Sequence, residues 1–304
     1  MSKITDENVY LYRMRNTFKD KAWFMEYFME TVDNYDRHIE TAIDFGSADN
    51  SFINYLKNDV HQMEDHAYIK GYTYPNYPKG YPTPGTPKPK EWRFIGIENN
   101  ESFYQKSVAQ GQECYHSLTE MCENTKFNRD KTVLILNSVL HEVYSYGYAD
   151  TFWNEILVTK PRFIAIRDMY AKDCGNFFSS GTMKEFEGVI ASNPTMQSHY
   201  EDFKKRWGRA YDGYTALHFM YKYFYDENWD RECDENYIPF SYRDLVAKIR
   251  SLGYNINDEK FYGLPYLKKK WSKDFNAKNA VHMDLFIGAA KTHMKLLLER
   301  ADEK

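Results

Sequence analysis

Thr41-Ala42-Ile43-Asp44-Phe45-Gly46-Ser47-Ala48-Asp49-Asn50-Ser51-Phe52 is the stretch that decides how this chain is read. A short apolar run ends in Asp44, the chain turns at Gly46, and an apolar-periodic segment (Phe52, Ile53, Leu56) follows. That order reads as strand, tight turn and helix. Such a turn lies at the carboxyl end of a strand and the amino end of a helix, where open α/β sheets bind ligands. The first N–H groups of a helix have no partner within it and point outward, toward a polar or anionic group. The turn therefore marks a small-molecule site near the front of the chain.

Working outward, apolar and aromatic residues recur at helical spacing over residues 18–32 (Trp23, Phe24, Tyr27, Phe28, Val32), which predicts an amphipathic helix over the sheet. A second helix is expected over residues 51–65. Six of the ten prolines (Pro75, Pro78, Pro82, Pro84, Pro87, Pro89) then fall close together, so residues 66–92 read as a long Tyr/Pro-rich loop of the kind used as a lid or binding loop. Residues 93–98 form a short apolar run ending in an acid, Glu98. A helix over 102–110 and a weak strand over 113–118 follow. Residues 132–137 are apolar on both faces, as central parallel strands are. A helix over 148–157 leads to another buried strand over 162–168. Strands alternating with helices at this spacing predict a parallel sheet of βαβ units. Residues 174–234 read as an uninterrupted helical insertion, residues 241–252 as a helix capped by Ser241 and stopped by Gly253, and residues 254–261 and 281–288 as two last strands. The whole is read as one domain over 1–304, with an N-terminal helical segment over 1–40.

Composition narrows the function classes. With 42% hydrophobic and 28% charged residues the chain has ordinary globular content. Its net charge of −4 and pI near 6.2 exclude a globally basic nucleic-acid binder, leaving only local basic patches. No apolar run approaches the roughly 20 residues of a membrane span, and the N-terminus lacks an apolar signal core. Cys114, Cys122, Cys174 and Cys233 are scattered without a Cys-x-x-Cys pair. They read as reduced thiols of a cytoplasmic protein, with no disulfide frame and no metal-ligating set.

Taken together, the pieces resemble a class I S-adenosylmethionine-dependent methyltransferase, over residues 42–168 and more loosely over 254–288. The resemblance implies a Rossmann-like, mostly parallel sheet ending in an antiparallel hairpin, with S-adenosyl-L-methionine as cofactor. In the family an acid at the end of the first strand opens a glycine-rich turn around the methionine part of the cofactor. Asp44, Phe45, Gly46, Ser47 and Asp49 occupy that place here. Family turns carry two or three glycines, whereas this one keeps Gly46 and has Ala48 and Asn50 at the other small positions. Asn tolerates left-handed backbone better than most residues. The acid ending the second strand binds the ribose hydroxyls in the family. Glu98 stands there, beside Asn99, and a carboxylate suits two hydroxyl donors. Ser117 and Leu118 follow the third strand, where adenine is contacted. Asn137 and Ser138 follow the fourth, where the transferred methyl lies, and Leu140-His141-Glu142 resembles a common variant at that point.

Two residues are candidates for catalysis. His141 has the right unperturbed pKa for a general base, or it orients the loop. Glu142 is its companion, in a catalytic or substrate-positioning role. Arg167 and Asp168, ending the fifth strand, are with His141 the candidate substrate contacts. Three basic clusters carry a tryptophan each (Trp92, Trp207, Trp271), and lysine or arginine beside an aromatic plane suits phosphate contact with base stacking. An inward Trp under a solvated basic face is the alternative. The expectation is thus methyl transfer to an O, N or C nucleophile, leaning to a nucleic acid or nucleotide acceptor. A small-molecule acceptor, or a non-catalytic binding module of the same fold, is the alternative.

Overall fold

The computed structural model describes residues 14–30, 39–58, 92–172, 178–275 and 281–301. Seven strands, β1 (Thr41–Phe45), β2 (Arg93–Ile97), β3 (Cys114–Tyr115), β4 (Thr132–Asn137), β5 (Phe163–Lys172), β6 (Tyr254–Tyr262) and β7 (Lys291–Arg300), form one sheet of order β3-β2-β1-β4-β5-β7-β6. The pairs among β1 to β5 are parallel, and β7 runs antiparallel to both β5 and β6. This is the mostly parallel sheet with a C-terminal antiparallel hairpin that the resemblance implies. The chain builds β1 to β3 outward on one side, then crosses to β4 on the other. The order therefore reverses between β1 and β4, and a crevice opens beyond their carboxyl ends.

The helices are α1 (Phe18–Lys21), α2 (Phe24–Glu30), α3 (Ser51–Asn58), α4 (Glu101–Ala109), α5 (Leu118–Asn124), α6 (Leu140–Ser145), α7 (Ala149–Thr159), α8 (Ser180–Ser192), α9 (Pro194–Trp207), α10 (Gly213–Phe224), α11 (Trp229–Asp234), α12 (Tyr242–Ser251), α13 (Pro265–Asp274) and α14 (Val281–Ala289). Both faces of the sheet are covered, and the period of two along each strand divides the side chains between them. Val133 and Ile135 of β4 join Phe18, Phe24, Phe28, Phe52 and Ile53 on one face. Leu134 and Leu136 join Leu118, Leu140, Trp153, Ile156 and Leu245 on the other. Each such side chain, fully withdrawn from water, contributes about 1.5–3 kcal/mol. A third cluster, with Phe186, Phe203, Phe219, Trp271 and Phe286, forms a separate helical layer from α8 to α11, α13 and α14.

Several expectations are corrected. The first helix is split into α1 and α2 by a turn at Ala22 and Trp23. Residues 281–288 are not a strand. Met283, Phe286 and Ile287 are buried while Val281 and Leu285 are exposed, a helical stripe in α14, and the last strand is β7. β7 lies between β5 and β6, so Met294, Leu296, Leu297 and Leu298 are buried on both faces and the strand shows no alternation. The weak third strand spans only Cys114–Tyr115, and α5 begins where it was expected to continue. Ser241 caps α12 through the Asp244 N–H at 3.1 Å. Most of the Tyr/Pro-rich loop, residues 66–91, and Cys174 lie outside the described residues. Among the described residues no helix is long and apolar enough to cross a membrane.

Candidate functional site

The turn after β1 is held from β2. Gly46 and Ser47 donate their N–H groups to the Ile97 carbonyl at 2.8 and 3.1 Å, and the Ala48 N–H donates to Glu98 Oε2 at 2.8 Å. Glu98 Oε1 accepts from the Asn100 N–H at 2.7 Å. The backbone is left-handed at Gly46 (φ 76°), Ala48 (φ 48°) and Asn50 (φ 59°), and again at Ser138 (φ 57°) after β4. Left-handed residues other than glycine cost of order 1 kcal/mol each and cluster where function demands a shape. A side chain at Gly46 would press on Val139 at 3.0 Å, so the two turns touch. Gly96 is the unforeseen glycine of the site. A Cβ there would lie 2.6 Å from the Ser47 hydroxyl and the Asn50 amide oxygen, so only glycine lets the turn settle on β2.

These turns open onto one cleft of about 810 Å³. Phe45, Gly46, Glu98, Asn99, Ser117, Asn137, Ser138, His141, Glu142 and Arg167 line it, which brings together ten of the residues singled out from the sequence. Both amide atoms of Asn137 lack a hydrogen-bond partner, an opening for a ligand. Five others lie elsewhere, Asp168 among them. Leu118 is fully buried in the core below. Ser117 lines the cleft but already caps α5 through the Glu120 N–H. Ser47 is buried beneath the turn against β2, and Asp49 accepts the Ser51 N–H at 3.1 Å at the start of α3. Asp44 is buried at the end of β1. Burial pushes its carboxyl up to about 7; the Lys21 ammonium opposes this and Glu98 adds to it. Glu98 is likewise raised by burial, against the pull of the Asn100 and Ala48 N–H groups.

On the β4–β5 side Asp168 is an organiser. It is completely buried, and Oδ2 accepts from the Leu140 and His141 N–H groups at 2.7 and 3.2 Å, the cap that α6 lacks from its own sequence. Oδ1 meets His141 Nδ1 at 2.6 Å. Burial opposes charge on His141, but Asp168, Glu142 and Glu235 outweigh it and raise the imidazole to about 9. His141 is therefore protonated at neutral pH and unsuited to the role of a simple base there. Arg167 and Asp168 do not pair. Arg167 Nε donates to Asp20 at 2.9 Å, and Asp168 faces the other way, away from the cleft.

Three groups of site residues were not foreseen. Lys21, at the end of α1, lines the cleft; burial lowers its ammonium to about 8, Arg167 pushes the same way, and Asp44, Glu142 and Asp168 oppose. Asn100 caps α4, accepting the Phe103 N–H at 3.3 Å. From α11 and the loop after it come Arg231, Glu232, Glu235 and Tyr237. Arg231 reaches Glu235 at 2.9 Å and Glu142 at 3.4 Å, Tyr146 donates to Glu235 at 2.9 Å, and Tyr237 donates to Glu232. Burial and the Glu235 charge hold Glu142 and Glu232 above the usual carboxylate range. Glu235 lies just past the end of α11 in extended backbone, so no short sequence pattern announced this cluster.

The tryptophans of the basic clusters turn inward. Trp271 is fully buried and donates to the Met220 carbonyl, and Trp207 donates to Cys233. Trp92 packs beneath the sheet against Phe28 and Phe94, in a different layer from the other two.

No family model matches this chain, and no curated protein matches it in sequence. Its fold is similar to that of PKMT2 from Rickettsia typhi in complex with AdoHcy, at 10% identity and a TM-score of 0.43, over 92% of this chain and 53% of that one. This chain thus spans about half the length of that protein. It is also similar to the plantazolicin methyltransferase BamL in complex with a triazolic desmethylPZN analog and SAH (8% identity, 96% and 89% of the two chains, TM-score 0.43). A third is the [4+2]-cyclase SpnF (8% identity, 92% and 80%, TM-score 0.43). Likenesses this distant carry no argument about chemistry, which belongs to the site and not the fold. The strand order, the antiparallel β7 and the cleft at the β1–β4 crossing show that this chain has the class I methyltransferase fold.

Proposed function

We propose that the chain is an S-adenosylmethionine-dependent methyltransferase acting on a small-molecule acceptor. The observation that carries this reading is the convergence, on one cleft, of the left-handed turn after β1, Glu98 after β2 and the unpartnered Asn137 after β4. The donor set suits the cofactor. Glu98, already anchored by two N–H groups, keeps lone pairs for ribose hydroxyls, and the turn leaves room for the methionine part. Ser117 and Asn99 border the adenine end, and Asn137 and Ser138 the methyl end. Bound there, S-adenosylmethionine supplies an electrophilic methyl on a sulfonium centre. The residues around it align and desolvate, and alignment is a large share of such catalysis.

The acceptor half of the cleft lies under the helical layer, between His141 and Glu142 on one side and Arg231, Glu232, Glu235 and Tyr237 on the other. Glu142, with a third of its side-chain surface open, holds its proton more tightly than an ordinary carboxylate and is the group suited to receive one from the acceptor. His141, held in place by Asp168, lines the same half of the cleft. The whole cleft falls in the usual 300–1,000 Å³ range of small-ligand sites, enough for a cofactor and a compact acceptor. Burial of Trp92 and Trp271 removes the stacking surface that favoured nucleic acid.

Calorimetric titration with S-adenosylmethionine tests the reading, and absence of binding would overturn it. If the cofactor binds, transfer of labelled methyl into extract fractions identifies the acceptor. A product sensitive to nuclease would reverse the small-molecule assignment.

A further inference from the structure

We propose that His141, Glu142 and Glu235 form a binding site for a divalent first-row metal ion in the acceptor half of the cleft. The three can each offer one ligand atom such that all lie within 4.8 Å of one another. Ligands held tetrahedrally at bond lengths of about 2.1 Å stand roughly 3.4 Å apart, so a closure of at most about 1.4 Å, within reach of side-chain rotation, completes the set.

An acidic pair alone would prove little, but His141 points independently to a ligand. Its ring is 2% exposed, lies on the cleft wall, and has Nδ1 occupied by Asp168, while no hydrogen bond reaches Nε2 among the described residues. A carboxylate on one imidazole nitrogen is the usual support for a metal on the other, because it fixes the ring and its tautomer. Asp168 is itself locked by the Leu140, His141 and Met169 N–H groups, so the ring cannot swing.

Both carboxylates keep an oxygen for the ion. Arg231 and Tyr146 meet the same atom of Glu235, Oε1, and Arg231 meets Oε1 of Glu142 at 3.4 Å. Arg231 thereby serves as a positioning residue, holding the two side chains from behind. One imidazole with two carboxylates suits Mn²⁺, Fe²⁺ or Zn²⁺ better than Ca²⁺ or an all-thiolate metal. The site rests on the methyltransferase reading only for its use, which is to hold an acceptor heteroatom against the methyl donor; the ligand geometry stands without it.

Titration of the metal-stripped full chain with Mn²⁺, followed by the loss of its free-ion paramagnetic resonance signal, tests the site in the absence of S-adenosylmethionine. One ion per chain is expected. Glu142→Gln and Glu235→Gln, which preserve shape, should each weaken binding at least tenfold, and His141→Asn should do the same, with circular dichroism confirming the fold. Zn²⁺ should displace Mn²⁺. No saturable binding of either ion to the wild-type chain, or binding that a folded Glu235→Gln variant leaves unchanged, overturns the proposal. Because cofactor binding is titrated separately without metal, loss of one result leaves the other intact.

Discussion

The two halves of the cleft are built by opposite means. The proposed cofactor half is shaped by backbone: left-handed turns at Gly46, Ala48, Asn50 and Ser138, with one carboxylate, Glu98, fastening the turn after β1 to β2. The proposed acceptor half is shaped by charged side chains from separate segments, with His141 and Glu142, the former braced by Asp168, facing Arg231, Glu232 and Glu235. A backbone-built pocket varies little with side-chain substitution, whereas a side-chain pocket can be rebuilt for a new acceptor while the donor half is kept. The difference is one between a fixed chemistry and an adjustable specificity.

The largest expected effect on cofactor binding tests whether the halves are separable. Glu98→Ala removes a charge-assisted acceptor and should weaken S-adenosylmethionine binding by about a hundredfold, from the few kcal/mol that such bonds carry. Glu235→Gln should leave the same calorimetric constant within about threefold. Equal losses in the two variants would show one undivided site.

Asp44 offers the next effect. Its folded pKa, about 7, lies above the ordinary 3.8, so the buried carboxyl favours the folded state only while protonated, and that contribution is lost as pH rises from about 4 through 7. Asp44→Asn should be more stable than wild type at pH 8, by up to roughly 4 kcal/mol, and show little difference at pH 4. Melting temperatures across that window check it, and parallel profiles would mean that Asp44 titrates normally. The same variant should lose cofactor affinity, marking a stability cost retained for binding.

Smallest are the glycine exchanges in the turn. Gly46→Ala should cost about 1–2 kcal/mol, since it places a Cβ at positive φ and against Val139. Ala48→Gly should gain up to about 1 kcal/mol at φ 48° and leave cofactor affinity intact, measurable as a shift in denaturant midpoint. A loss of affinity in Ala48→Gly would mean that the methyl group itself contacts the ligand.

The same division explains what could be read in advance. Asp44 to Asn50, Glu98 and residues 132–137 announce themselves because strand, turn and helix follow one another within a dozen residues, and each rule involved is local. Glu142 and Glu235 are brought together by contacts of Arg231 and the loop after α11 with α6 and the residue after it, for which no short pattern exists. Lys21 falls on a segment whose legible signal is its aromatic residues, and nothing local announces that a lysine beside them is buried. Residues 281–288 were mistaken because a short apolar run does not separate a strand from a buried helix. β7, buried on both faces yet opening on Lys291, carries polar residues at its ends that hide its character. Asp168 was expected to meet substrate. Its cap of α6 depends on a contact between segments, which the residue type alone does not announce.

Asp20 carries a last consequence. Its carboxylate is held by Arg167 of β5, Tyr262 of β6 and Lys295 of β7, partners that for the first two lie 147 and 242 positions away along the chain. Contacts so distant form slowly, because the entropy of closing the loop must be met first. On a ribosome the N-terminal wall of the pocket would emerge early and wait, unanchored, until the final hairpin is made. Ligand binding would then be among the last properties the nascent protein acquires, and a chain halted before β7 would be folded in part but empty.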